Sequence, residues 1–265
     1  MKPIKLISLV SSVTISSLLA KKVYANYQSK GIESEKKTCK FDLSKIDQLN
    51  IFFERGQGKI EHIPGNHLEI EYYFTNREQA KSFVFTENLK GSQLSLQLKR
   101  ENSLMPLNFF NGIYVQIKLP ESYMGQVGIK STTGSIIADD LIIPNASFKT
   151  DTGNITVRSL VGKDVSLKST TGDITLGSLD SEDDNSQALI SSTTGKITVI
   201  HNKLFRREFI KTTTGAIELT INPSLSDYCI KVESIVKNGR CSSEIVGDPT
   251  NEINIKTTTG NVNRL

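Results

Sequence analysis

"KSTTGDITL", residues 168–176, has five near copies: "KSTTGSIIA" (130–138), "KTDTGNITV" (149–157), "SSTTGKITV" (191–199), "KTTTGAIEL" (211–219) and "KTTTGNVNR" (256–264). Their shared glycines, Gly134, Gly153, Gly172, Gly195, Gly215 and Gly260, are spaced by 19, 19, 23, 20 and 45 residues. Self-similarity near this period is the mark of a stacked architecture. Other positions counted from the glycine keep their character too. Five places before it stand Ile129, Phe148, Leu167, Ile190, Ile210 and Ile255. Two places after it come Ile136, Ile155, Ile174, Ile197, Ile217 and Val262, all β-branched, and three places before it only Ser or Thr is used.

Offsets of minus seven, minus five and minus three on one side and plus two and plus four on the other are period-2 alternation, so each unit reads as two short strands with one buried face. The parity slips by one at the T-G pair, where a glycine supplies a backbone bend that keeps both inward faces in one core. The expected fold is all-β: a single-stranded β-solenoid of 19–23-residue coils. Its aligned Ser and Thr hydroxyls are expected to bond neighbour to neighbour. An antiparallel sandwich or propeller of two-stranded units satisfies the same parity and stays open as the rival.

The 45-residue gap has room for one more coil, with Gly239 as its corner, Val232 seven places before it and Cys241 two places after. Cys229 and Cys241, 12 apart, are a candidate disulfide in an exported chain. Two reduced thiols are the alternative, and Cys39 stands alone.

Residues 1–25 have a different character. "MKPIK" is followed by 15 uncharged residues and by "KKVYA", the order of a secretory signal cut before Asn26; an uncleaved anchor is the alternative. This leader holds four of the 32 basic residues and none of the 28 acidic ones. The remainder is balanced at 28 of each, which removes the charge argument for nucleic acid or an anionic membrane. A polar leader over 26–40 precedes an N-terminal β cap over 41–125, and the T-G-x-I solenoid runs over 126–265.

Within the cap, Phe53, Gly58 and Ile60 fit the repeat offsets as a divergent first coil. "NREQAKSFVF" (76–85) suggests a helical turn. "SQLSLQLKRE" (92–101) and "GIYVQIKLPE" (112–121) read as two strands paired across a loop, whose Leu104, Met105, Leu107, Phe109 and Phe110 fold back over the core or meet a partner.

Catalytic signals are thin. A β-helix enzyme acting on carbohydrate needs carboxylates converging from neighbouring coils. Asp139, Asp140, Asp151, Asp164 and Asp173 share no offset from their glycines and read as solvated surface. His62, His67 and His201 lack metal-ligand spacing. The acidic loop Asp180, Glu182, Asp183, Asp184 and Asn185 carries oxygen ligands without the glycine of a dedicated calcium loop, and "FRRE" (205–208) is only a small basic spot. No catalytic residue, metal or cofactor is assigned.

The strand "IKLPESYMGQVGIKSTTGSI" leading into serial T-G-x-I units, with "GKIEHIPGNHLEIEY" before it, resembles the putative adhesin family of bacterial β-strand-repeat proteins over residues 41–265. The resemblance implies an exported, non-enzymatic β-solenoid acting at the cell surface or in the periplasm. Its expected partner is a protein or glycan of the cell envelope, with self-association as a further expectation. Nucleic acid binding and membrane insertion after signal cleavage are not expected. A carbohydrate-active enzyme and a self-assembling envelope protein are the other readings.

Overall fold

The computed structural model describes residues 36–74, 82–101, 113–222, 224–234, 241–247 and 250–264. The signal segment 1–25, most of the polar leader, the apolar loop residues 104–110, the start of the 76–85 segment and Gly239 lie outside the described residues. Among the described residues there are twenty strands. In chain order they begin with β1 (Lys37–Asp42), β2 (Gln48–Ile63), β3 (His67–Phe74), β4 (Phe83–Lys90), β5 (Gln93–Arg100) and β6 (Ile113–Pro120). The repeat region holds β7 (Gln126–Ile142), β8 (Asn145–Thr152), β9 (Ile155–Gly162), β10 (Asp164–Thr171), β11 (Ile174–Leu176), β12 (Leu179–Ser181), β13 (Gln187–Thr194), β14 (Ile197–His201), β15 (Arg207–Thr214) and β16 (Ile217–Ile221). The last four are β17 (Tyr228–Ser234), β18 (Cys241–Val246), β19 (Asn251–Thr259) and β20 (Val262–Arg264). Among the described residues no helix is long and apolar enough to cross a membrane.

Successive units pair in parallel and in register, so the molecule is a β-solenoid and the antiparallel rival is excluded. On the first face Ile129, Phe148, Leu167, Ile190, Ile210 and Ile255 stand partner to partner through β7, β8, β10, β13, β15 and β19. On the second, Ile136, Ile155, Ile174, Ile197, Ile217 and Val262 do the same. The five isoleucines are buried and Val262 is half-buried. A short third run stacks Leu141, Leu160 and Leu179. These aliphatic columns fuse into one core, and their removal from water is the main stabilising term.

The corner has two physical requirements. At Gly172 the backbone has φ +144°, and a Cβ there would lie 2.1 Å from the carbonyl oxygen of Gly153 in the preceding coil. Only glycine meets both the torsion and the close approach. The Ser/Thr three places earlier serves the same contact. Thr150 donates to the Gly134 carbonyl at 2.8 Å, Ser169 to Gly153 at 3.0 Å, Ser192 to Gly172 at 2.9 Å and Thr212 to Gly195 at 3.1 Å. These four hydroxyls therefore bond to the backbone of the neighbouring corner, and not to one another as the sequence suggested, while the buried Ser131 and Thr257 hydroxyls at the two ends of the series have no partner among the described residues. A buried carbonyl without a donor is costly, which accounts for Ser or Thr at these four positions.

Both ends depart from chain order. β5 and β6 stack in parallel on the first and second halves of β2, so together they fill one coil position, and β2 stacks in turn on β7. The chain thus lays β2 second in space and returns with β5 and β6 to fill the first place. The two strands do not pair with each other, contrary to the sequence reading, because each uses its edges for β2 and for a capping strand. β4 runs antiparallel on β5, β3 antiparallel on β6, and β1 antiparallel on β3. Lys37–Asp42 is consequently a paired strand with Cys39 and Phe41 buried, which ends the polar leader earlier than 40. Phe83, Val84 and Phe85 belong to β4, so the expected helical turn does not extend to them, while Ser82 just before them is helical.

The corner of the β2 coil is Gly56, paired with Gly134, while Gly58 is paired with Ile136 and Phe53 with Ser131. The expected glycine was therefore two places off. The swap is volumetric: a Cβ on Gly58 would sit 2.5 Å from the Phe53 ring, which fills the space that Ile136 occupies one coil on.

At the other end β19 and β20 stack directly on β15 and β16. No coil lies between Gly215 and Gly260, which corrects the reading of the 45-residue gap. Its residues instead lay β17 parallel on the outer edge of β19, with β18 antiparallel beyond it. In that hairpin Ile245 is opposite Cys229 and Cys241 opposite Glu233. Four residues of strand separate the two cysteines, about 13 Å at the usual rise, against a Cα limit of roughly 7 Å for a disulfide. Cys229 is a buried free thiol, and the candidate bridge to Cys241 is not made.

Candidate functional site

Three of the five candidate carboxylates in the repeat coils are engaged. Asp139 pairs with Lys59 at 2.7 Å and Asp140 with Arg158 at 2.7 Å. Asp173 accepts the Lys196 backbone N–H at 2.7 Å, while its own N–H donates to Asn154; this is corner capping. Asp151 lies on β8 and Asp164 at the start of β10, one coil further on. In the acidic loop Asp180 accepts the backbone N–H groups of Asn202 and Lys203, and Asp183 pairs with Lys163 at 3.1 Å. His62 Nε2 accepts the Ile142 N–H at 3.1 Å. Among the described residues no group of three His, Cys, Asp or Glu side chains is placed to hold a metal ion.

One polar pair escaped the sequence reading. Glu208 takes the inward position that Ala188 and Ile253 take in the adjacent coils, and there it meets His201. Nε2 and Oε2 are 3.1 Å apart and both side chains are fully buried. The imidazole Nδ1 lies 2.9 Å from the Leu179 carbonyl. Burial opposes charge on His201, but the Glu208 carboxylate and the Leu179 carbonyl outweigh it and raise the pKa above the ordinary imidazole value. The pair is sealed from solvent, so it is a structural element with no access for a substrate.

The accessible feature is the outer side of the first face. Four places before each corner glycine stand Lys130, Lys149, Lys168, Ser191, Lys211 and Lys256, joined strand to strand in register. Adjacent strands are about 4.8 Å apart, so the register sets one ammonium-bearing stem per coil except at Ser191. Lys256 pairs with Glu233 at 2.8 Å. Lys130, Lys149, Lys168 and Lys211 are exposed and enter no ion pair among the described residues. Two unit charges about 5 Å apart in water repel by roughly 1 kcal/mol. The second face is built the opposite way: Lys36, Lys118 and Lys59 pair with Glu71, Glu71 and Glu61 at 2.7, 3.0 and 2.7 Å. The same offset test that found the isoleucines would have found this lysine column.

Beside the lysines, two places nearer the strand start, run Ser147, Ser166, Leu189, Phe209 and Asn254. Phe209 is 50% exposed and Leu189 36%. They stand between two shallow concavities of about 450 and 650 Å³, one reaching back to Asn145 and Asp164, the other forward to Lys211, Lys231 and Lys256. A larger hollow of about 730 Å³ lies at the cap, against Asp42, Tyr123 and Met124, and shares Gln126 and Asn145 with the first concavity.

Several solved structures are similar to this chain. A putative cell adhesion protein from Clostridium sporogenes is 13% identical, covering 87% of this chain and 98% of that one, with a TM-score of 0.38. A putative adhesin from Bacteroides fragilis is 14% identical, covering 87% and 97%, with a TM-score of 0.42. One from Parabacteroides merdae is 12% identical, covering 90% and 100%, with a TM-score of 0.39. No curated protein matches the sequence. The Toastrack DUF4097 family matches residues 46–264, a span that takes in both faces, the two out-of-order ends and the lysine column. The chain belongs to the Toastrack DUF4097 family.

Proposed function

We propose that this is an exported, non-enzymatic binding protein, adhesin-like, that acts at the cell surface or in the periplasm. The observation that carries the reading is the exposed strip on the first face, where Phe209 and Leu189 face solvent between two concavities beside unpaired lysines. A rigid parallel sheet with a regular outer surface suits recognition of an extended partner, as stacked-repeat proteins use theirs. Export is supported by the leader over residues 1–25.

Cell fractionation of a C-terminally tagged chain, with N-terminal sequencing of the product, tests the placement. Recovery from the envelope or medium with Asn26 as first residue is expected; intact Met1 in the cytosol overturns it. Incubation with polysaccharides and an assay for new reducing ends tests the enzymatic alternative, and no release is expected.

Self-association is a second reading, favoured by the C-terminal end. Among the described residues β18 pairs with β17 alone, and Ile245 on it is 64% exposed. Such an edge accepts a further strand. Light scattering that shows a monomer at all concentrations removes this reading.

A further inference from the structure

We infer that the lysine column of the first face, Lys130, Lys149 and Lys168 continued by Lys211, is the contact strip for an acidic polysaccharide laid along the stacking axis. This rests on the binding-protein reading above and names its ligand class.

Three observations converge on this chemistry. The first is charge. The four ammonium groups are exposed and without acidic partners among the described residues, whereas lysines on the second face are paired. Like charges held in a row by a rigid register gain most from a ligand that is itself a row of anions. Such a ligand releases several counterions at once.

The second is spacing. Parallel pairing fixes one lysine per coil from Lys130 to Lys168, at about the 4.8 Å strand separation, and Lys211 follows two spacings on, past Ser191. A pyranose ring is about that long, so a glycan with one carboxylate or sulfate on each sugar presents its charges in step with the coils. A compact anion would meet only one or two of them.

The third is the flank. On one side of the lysines, two places closer to the corner, stand Thr132, Thr170 and Thr193, all exposed, whose hydroxyls suit sugar hydroxyls. On the other side, the row of Ser147 and Ser166 continues through Leu189 to Phe209, whose exposed ring offers an apolar face to a sugar. Duplex DNA fits less well. It carries two phosphate rows, and Asp151 and Asp164 stand on either side of a strip only one column wide.

The test is binding of the full exported chain to linear polygalacturonate, a sulfated glycosaminoglycan, neutral dextran and duplex DNA, over a range of salt. Binding to at least one acidic glycan is expected, with none to dextran. Lys130→Ser, Lys149→Ser and Lys168→Ser combined copy the residue already present at Ser191. They should weaken acidic-glycan binding about tenfold or more and reduce the salt slope by roughly two to three charges. A control with Lys90→Ser, Lys163→Ser and Lys196→Ser removes equal charge elsewhere and should stay within about twofold of the parent chain. Phe209→Ala should weaken binding without changing the salt slope. Unchanged melting of each variant confirms that the fold is intact.

Equal loss in the control, equal or tighter binding of DNA through the same lysines, or no acidic-glycan binding at all overturns the proposal. If the exported chain still binds envelope material and the lysine variant binds it equally well, the ligand class is wrong while the binding-protein reading stands. If the chain is not exported, that reading fails first.

Discussion

His201 and Glu208 meet 3.1 Å apart inside a largely apolar core, both without solvent exposure. Removing one partner leaves the other buried and uncompensated, which typically costs about 3–5 kcal/mol. His201→Leu or Glu208→Ile alone should therefore destabilise strongly. The combined variant, with Glu208 replaced by the residue that Ile253 supplies one coil on, should return to about parental stability or exceed it by roughly 1–4 kcal/mol. Denaturant melts of the three variants check this.

The same pair sets a pH dependence. The folded-state pKa of His201 is raised above its unfolded value near 6.5, so the folded state binds the proton more tightly. The stabilisation is fully present below the unfolded pKa and is lost as pH rises through the raised folded one. The melting temperature of the parent chain should fall across that window, and the combined variant should lose that part of the slope. Thermal melts between about pH 5 and 9 are the measurement.

Thr150 and Thr257 occupy equivalent positions in different coils, with different surroundings. Thr150 donates to the Gly134 carbonyl at 2.8 Å, while the buried Thr257 hydroxyl has no partner among the described residues. Thr150→Val should cost about 1 kcal/mol. Thr257→Val should be neutral or slightly stabilising, since it removes a buried polar atom that bonds to nothing. Equal effects at the two sites would refute the carbonyl-capping role.

At Gly172 an alanine meets both an unfavourable torsion and a carbonyl oxygen 2.1 Å away. Gly172→Ala should cost at least about 2–3 kcal/mol. Gly91→Ala shares the positive φ, at +59°, but has open space around its Cβ position. It should cost about 1 kcal/mol, the torsion alone. Chemical denaturation distinguishes the two.

Phe53 and Gly58 should be energetically coupled. Gly58→Ile alone collides with the Phe53 ring, and Phe53→Ser alone leaves a hole. Together they recreate the Ser131 and Ile136 pair of the next coil. A double-mutant cycle should return a favourable coupling of about 1–3 kcal/mol.

The repeated coil was legible because every unit solves the same packing problem. Ile155, Ile174 and Ile197 answer one column, and Gly172 with Ser169 answers one corner, so a single offset table recovers them. Chain order was not legible: nothing local in β2 shows that β5 and β6 will stack outside it, or in β19 that it joins β15. Those choices come from which edges remain open, a property of the assembled stack. The same limit produced the Gly58 assignment, since Phe53 and Gly58 exchange volume between positions and blur the offsets. Glu208 was hidden by its type, because an acid in an inward slot makes sense only once His201 is seen across from it. The lysine column was written in the repeats and needed only one further offset.

The out-of-order ends also restrict how such a protein can change its length. Between β7 and β16 one whole coil follows the next, so a recombination that duplicates or deletes a 19-residue unit there leaves every column continuous. Beyond those limits β2 and β19 are each wedged between strands from other parts of the chain, and a duplicated unit would have no vacant slot to enter. Copy number can drift in the middle while the two ends are inherited intact, and each added unit bearing the lysine would lengthen the charged strip by one step.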